Sequence, residues 1–280
     1  MILNIYVVSV GFILLCRTYC LRFCKFNKDL FIRQALNGTT ENRGTVLKSI
    51  DISTQICNSF LMPRGPRFIF ENAFYHVFNR GVNKQHIFLS EKDYLFFLKK
   101  LKELKKKYDH SIYCVCLMPN HFHISIQTRK SPISKIMSSL TTSYSMYFNR
   151  TYKRVGPVFQ NRFKSILIEN NEYFLKLSQY IYLNPVNAGL VKDPMLYKFS
   201  SIREAVGKEP FSLLDEDSVR LVGETKRAQK TYEKFIYDGI SGNLTEIDML
   251  FEKEEAVFGT NKFSTMANKK YMRRKNKNYA

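Results

Sequence analysis

Residues 111–127, SIYCVCLMPNHFHISIQ, decide the fold. The apolar run 111–118 reads as a strand, and Met118-Pro119-Asn120 supplies turn chemistry. Residues 121–127 then form a second strand, antiparallel to the first through that short connection. Strand alternation places His121, His123, Ser125 and Gln127 on one sheet face. Phe122, Ile124 and Ile126 fall on the other, which suits packing against helices.

Upstream, residues 73–80, AFYHVFNR, alternate and carry aromatic and β-branched residues, so they read as a strand closed by Gly81 and Val82-Asn83. Ser90, followed by Glu91 and Asp93, marks a helix start. That helix is predicted to reach about Lys107, with Tyr94, Phe97, Leu98, Leu101 and Leu104 on its apolar face. Lys105, Lys106 and Lys107 suit its carboxyl end.

Downstream, 132–150 has helical periodicity through Ile133, Ile136, Met137, Leu140, Tyr144 and Tyr147. A basic loop with Arg150, Lys153 and Arg154 leads to Gly156-Pro157, then to a strand at 163–168, FKSILI. Asn170 or Asn171 can cap a final helix, which Pro185 is expected to limit.

The order is β-α-β-β-α-β plus one helix. This predicts an α+β, ferredoxin-like antiparallel sheet with helices on one face and the other face open for a site. Such a fold hosts many functions, so chemistry must come from residues. Residues 207–280 are expected to be a helical extension: 224–239 and 244–258 have helical spacing, and 269–280, KKYMRRKNKNYA, reads as a flexible basic tail.

Lys and Arg number 44 against 24 Asp and Glu, a formal charge of +20 over 280 residues. With 45% apolar residues a core can form, and the charge points to a polyanionic partner. Aromatic residues make up 14%, all Tyr and Phe, and flat rings beside cations suit stacked bases. The six cysteines (Cys16, Cys20, Cys24, Cys57, Cys114, Cys116) include no C-x-x-C pair, so neither a zinc ribbon nor a thioredoxin-like redox site is supported. They fit a reducing cytoplasm.

Residues 1–15 are apolar but short of the roughly 20 residues of a membrane span, and the basic residues follow them. We therefore read residues 1–61 as an extension, either dispensable or preceding the true start, with a domain opening at Met62. No stable membrane association is expected. The minority alternative is a membrane anchor resting on residues 1–15 alone.

Two groups carry chemistry. His121 and His123, two residues apart on a strand, project side by side and can ligate one divalent metal; a His-x-His pair can also be a plain surface feature. Tyr180 and Asn184, four apart on a helix, share a face; alone, Tyr180 reads more readily as a half-buried core aromatic than as a nucleophile. Taken together they suggest a metal that polarises a phosphate and a phenol that attacks it.

Four ordered segments resemble the HUH single-tyrosine transposases, and within them the REP-associated tyrosine transposases. They are FYHVFNRG at 74–81, LMPNHFHISIQ at 117–127, GPVFQNRFKS at 156–165 and QYIYLNPVNAGLV at 179–191. The resemblance spans about 62–206, with 207–280 left as the extension. It implies a nucleophile at Tyr180, metal ligands at His121, His123 and Asn184, and dependence on Mg²⁺ or Mn²⁺. It also implies an endonuclease and strand-transferase that acts on single-stranded DNA beside a REP-like hairpin through a 5′-phosphotyrosine, as a monomer or homodimer, in the cytoplasm near the nucleoid. One departure is Tyr182, where the family often has His; about 200° of helical rotation should turn it away from Tyr180.

Arg80, Arg129, Lys130, Lys153, Arg154, Arg162 and Lys164 are candidate phosphate contacts, and Phe159 and Gln160 candidate base contacts. The alternative function is a catalytically silent protein that binds single-stranded nucleic-acid hairpins. An RNA-binding reading would need exposed aromatics on the central strands.

Overall fold

The computed structural model describes residues 68–169, 171–210, 212–240 and 257–277. The expected extension 1–61, with Cys16, Cys20, Cys24 and Cys57, lies outside them, as do Asn170 and most of 244–258.

The elements follow the predicted order. β1 (Phe74–Arg80) leads to α1 (Glu91–Tyr108), β2 (His110–Met118) and β3 (His121–Thr128). Then come α2 (Ile133–Thr151), β4 (Lys164–Ile168) and α3 (Asn171–Asn187). The sheet order is β2-β3-β1-β4-β5, antiparallel except for β5 (Val257–Phe258), which joins β4 in parallel. The two split β-α-β units of a ferredoxin-like sheet interleave in this way.

Phe97 of α1 lies 5.0 Å from the Phe122 ring, on the face that α1 and α2 cover. Each such fully buried aromatic contributes roughly 1.5–3 kcal/mol. Asp93 ties the two helices together. Its buried carboxylate accepts the Leu89 and Ser90 amides at the start of α1 and the hydroxyls of Tyr147 and Tyr152 from the α2 end.

The structure corrects four expectations. First, the face expected to be open is largely covered, because α3 packs on it: Phe174 meets Tyr113 at 5.6 Å and Tyr180 meets His123 at 5.7 Å. Second, α3 runs through Pro185 to Asn187. Pro185 comes so near the end that it forfeits one helical bond, and the turn it enters is closed by other bonds. Third, Val257–Phe258 is a strand, because sheet pairing with Leu167 and Ile168 outweighs helical spacing. Fourth, most of the tail is helix (Asn261–Lys277), anchored by buried Ala267 and by Tyr271 against Phe68.

Between α3 and β5 lie the helices α4 (Ile202–Ala205), α5 (Glu216–Val222) and α6 (Lys226–Asp238). α4 and α5 pack against β2, and α6 packs on α3. The free edge of β2 is satisfied by Asp215, Ser201 and Phe199, which accept the amides of Ile112, Val115 and Leu117. An edge so engaged cannot recruit another strand. Cys114 and Cys116 are buried free thiols whose ionisation burial pushes up, for Cys114 to about 12, as small core residues should be.

Candidate active site

β1 runs between β3 and β4, and its register assembles the site. Arg80 lies opposite His121, and Phe78 opposite both His123 and Lys164. Paired residues share a face, so two histidines and two cations rise from one end of the sheet. The loop before β4 docks on the same end: Val82 donates to Val158 O at 3.0 Å and Gln160 to Arg80 O at 2.9 Å, while Asn79 Nδ2 donates to Asn161 O at 3.1 Å. Gly81 is required there, since any Cβ would run into the Gln85 carbonyl. The result is a cavity of about 600 Å³ lined by Phe78, Asn79, Arg80, His121, His123, Gln160, Asn161, Arg162, Lys164, Tyr180 and Asn184.

Both histidines are held by Nδ1. His121 Nδ1 lies 2.5 Å from Asn120 Oδ1, and Asn120 is oriented by its own Nδ2, which donates to Lys84 O. Asn120 therefore offers oxygen, and His121 must carry its proton on Nδ1. His123 Nδ1 lies 2.9 Å from His76 Nε2. Burial first, and then the Arg80 charge, lowers His121 to about 4, against a hydrogen bond with Asn184 that raises it. Burial, then His121, His76 and Arg80, takes His123 well below the usual range. Both rings are neutral at pH 7, as metal ligation requires.

Asn184 sits one turn after Tyr180 on α3 and donates Nδ2 to the Tyr180 carbonyl at 2.9 Å. Its Oδ1 is thereby left for the His121 side of the cavity. The His121 imidazole and the Asn184 amide oxygen are both groups that a divalent cation can take as ligands, and both line the cavity. Among the described residues no group of three or more His, Cys, Asp or Glu side chains could hold a metal, so a third protein ligand here would be an amide. Among the described residues no carboxylate lines the cavity, whereas Arg80, Arg162 and Lys164 do. A bound dication would keep its full charge for an anionic substrate.

Tyr180 lines this cavity, with its ring edge-on to His123 at 5.7 Å and 7% exposed. Tyr182 faces away as predicted. It is fully buried, its hydroxyl 3.1 Å from Ser201 Oγ, and burial holds its ionisation far above the ordinary value.

The structure brings Arg80, Gln160, Arg162 and Lys164 to the cavity and leaves four other candidates elsewhere. Arg129 pairs with Asp217 at 3.1 Å, Arg154 bonds Gln85 and overlies Phe148, and Lys130 and Lys153 are exposed away from the lining. Phe159, a candidate base contact, is a core residue against Phe122 and Tyr144. Sequence reasoning missed His76, Phe78, Asn79, Asn120 and Asn161. The strand alternation that paired His121 with His123 would have put His76 and Phe78 on the face of Arg80.

No curated protein matches the chain. Among solved structures, that of a REP-associated tyrosine transposase bound to a REP hairpin is similar over 56% of this chain and 93% of the other, at 19% identity and a TM-score of 0.47. The tRNA(His) guanylyltransferase of Saccharomyces cerevisiae is similar over 62% and 81%, at 10% identity and a TM-score of 0.34. Residues 69–184 match the family described as "Transposase IS200 like", a span that runs from just before β1 to Asn184.

Proposed function

This chain carries a transposase IS200-like domain in residues 69–184, and from that premise we propose that it cuts and rejoins single-stranded DNA beside a hairpin, with Tyr180 as nucleophile. The observation that carries the reading is the convergence of Tyr180, His121, His123 and Asn184 on the wall of one cavity rimmed by cations.

Arg80, Arg162 and Lys164 bind backbone phosphates, which gives affinity without sequence information. His121, His123 and Asn184 would hold a divalent metal, Mn²⁺ or Mg²⁺. When bound, that ion polarises the scissile phosphate and offsets the charge that develops on it. Tyr180 Oη attacks phosphorus: the Oη–P bond forms, the P–O3′ bond breaks, the phenol releases its proton and the departing 3′ oxygen gains one. The 5′ end is left joined to Tyr180, and the freed 3′-hydroxyl of a second strand reverses the step to rejoin DNA. Residues 62–206 form the nuclease unit in this reading. Within the extension 207–280, α6 buttresses it: Tyr232 donates to Ser178 at 2.7 Å, on the helix that carries the nucleophile.

The test is to incubate the full chain with Mn²⁺ and labelled hairpin DNA from the gene's own flanks, and to look for a protein–DNA adduct on a denaturing gel. The adduct is expected with the wild-type protein and should vanish with chelator, with Tyr180→Phe, and with His121→Ala combined with His123→Ala. Tight binding without an adduct across several hairpins would sink the nuclease reading in favour of a hairpin-binding protein.

A further inference from the structure

We propose that His76 is a positioning residue for this site: its Nε2 accepts the Nδ1 proton of His123 and so keeps the Nε2 lone pair of His123 facing the cavity. The inference rests on the reading of His123 as a metal ligand. His76 lies on β1 opposite Ser125 and is fully buried. Its Nε2 approaches His123 Nδ1 to 2.9 Å, with the two ring planes within 15° of each other. The ring of Phe78 stacks on His76 at 5.1 Å and limits its rotation.

Two neutral imidazoles share one proton across such a gap, so one ring donates and the other accepts. If His76 donated, His123 would carry its proton on Nε2 and present N–H to the cavity. That orientation is opposed by the positive rim: Arg80 acts directly on His123, and Arg162 and Lys164 line the same space. A positive field favours a lone pair towards the cavity and the N–H away from it. His121 has the same arrangement by other means, since Asn120 Oδ1 can only accept. Metal-binding histidines generally donate their second N–H to such a partner, and losing it costs roughly 10–100-fold in metal affinity.

Two measurements on the full chain test this. In the metal-free, ¹⁵N-histidine-labelled wild-type protein, NMR should find the His123 proton on Nδ1; finding it on Nε2 overturns the proposal without any variant. Calorimetry with Mn²⁺ alone should then show affinity about 10–100-fold weaker in His76→Leu and largely restored in His76→Gln, whose amide oxygen can accept the same proton. Unchanged Mn²⁺ affinity in a folded His76→Leu protein also overturns it. A wild-type protein that binds no Mn²⁺ would instead overturn the metal reading, and the His123 tautomer would still decide the role of His76.

Discussion

Two phenols two residues apart on α3 meet opposite fates, and the difference is one of rotation. Tyr180 edges into a polar cavity beside His123, while Tyr182 is sealed among Ser201, Cys114 and Tyr232. Tyr182→Phe removes one buried hydroxyl contact and no cavity atom. It should form adduct as the wild type does and lose roughly 0.5–1.5 kcal/mol in a urea melt. Loss of the adduct in that variant with stability intact would move the nucleophile to Tyr182. The separation of the two was legible in sequence because helical geometry fixes it. The role of His76 was not, because it depends on which strand lies beside β3, and only the sheet order supplies that.

The same contrast governs whole elements. Strands and helices up to α3 were legible because their apolar periodicity agrees with what they bury. The end of α3 was not, because Pro185 signals a stop that the tertiary context overrides. The helix is closed further on, where Leu190 N donates to Pro185 O and Gly189 N to Val186 O, each at 2.9 Å, with Gly189 at φ +68°. This is a Schellman closure, in which a left-handed residue satisfies the last carbonyls. An added Cβ at Gly189 would meet nothing within 4 Å, so the cost of Gly189→Ala is conformational alone. It should destabilise the protein by about 1 kcal/mol, and Gly189→Asn by less, since Asn tolerates this region. Equal stability of all three proteins in denaturant would show that the turn does not close the helix. The strand at Val257–Phe258 escaped sequence reading for a related reason: two residues carry no period, and their partner β4 lies some ninety positions earlier.

Over the whole molecule, His76, His110 and His123 are buried, His121 is half-buried at the cavity, and all four are held in the neutral form. Burial lowers His76 to about 3 and His110 and His121 to about 4, and takes His123 well below its ordinary value. Each folded value lies under the roughly 6.5 of the unfolded chain. Between about pH 6.5 and 4 the unfolded chain therefore binds protons that the folded chain refuses, and stability falls as pH falls through that window. Each group contributes up to about 1.4 kcal/mol per pH unit, and they act together in a chain already carrying +20. The melting temperature should hold steady above pH 7 and drop steeply below 6.5. The contributions differ in origin. Both His110 ring nitrogens lack a hydrogen-bond partner, at the far end of β2 from the cavity, so its share is independent of metal. An imidazole ligates metal only when neutral, so under the proposed ligation saturating Mn²⁺ should raise the melting temperature at pH 7 and still at pH 5, and lose that effect only as pH falls to about 4, where His121 takes up its proton. His110→Leu should then soften the acid slope and leave the Mn²⁺ shift in place. A melting temperature indifferent to pH from 7 to 4 would mean that these rings are not held neutral in the folded protein, and the ligand role of His121 and His123 would lose its physical basis.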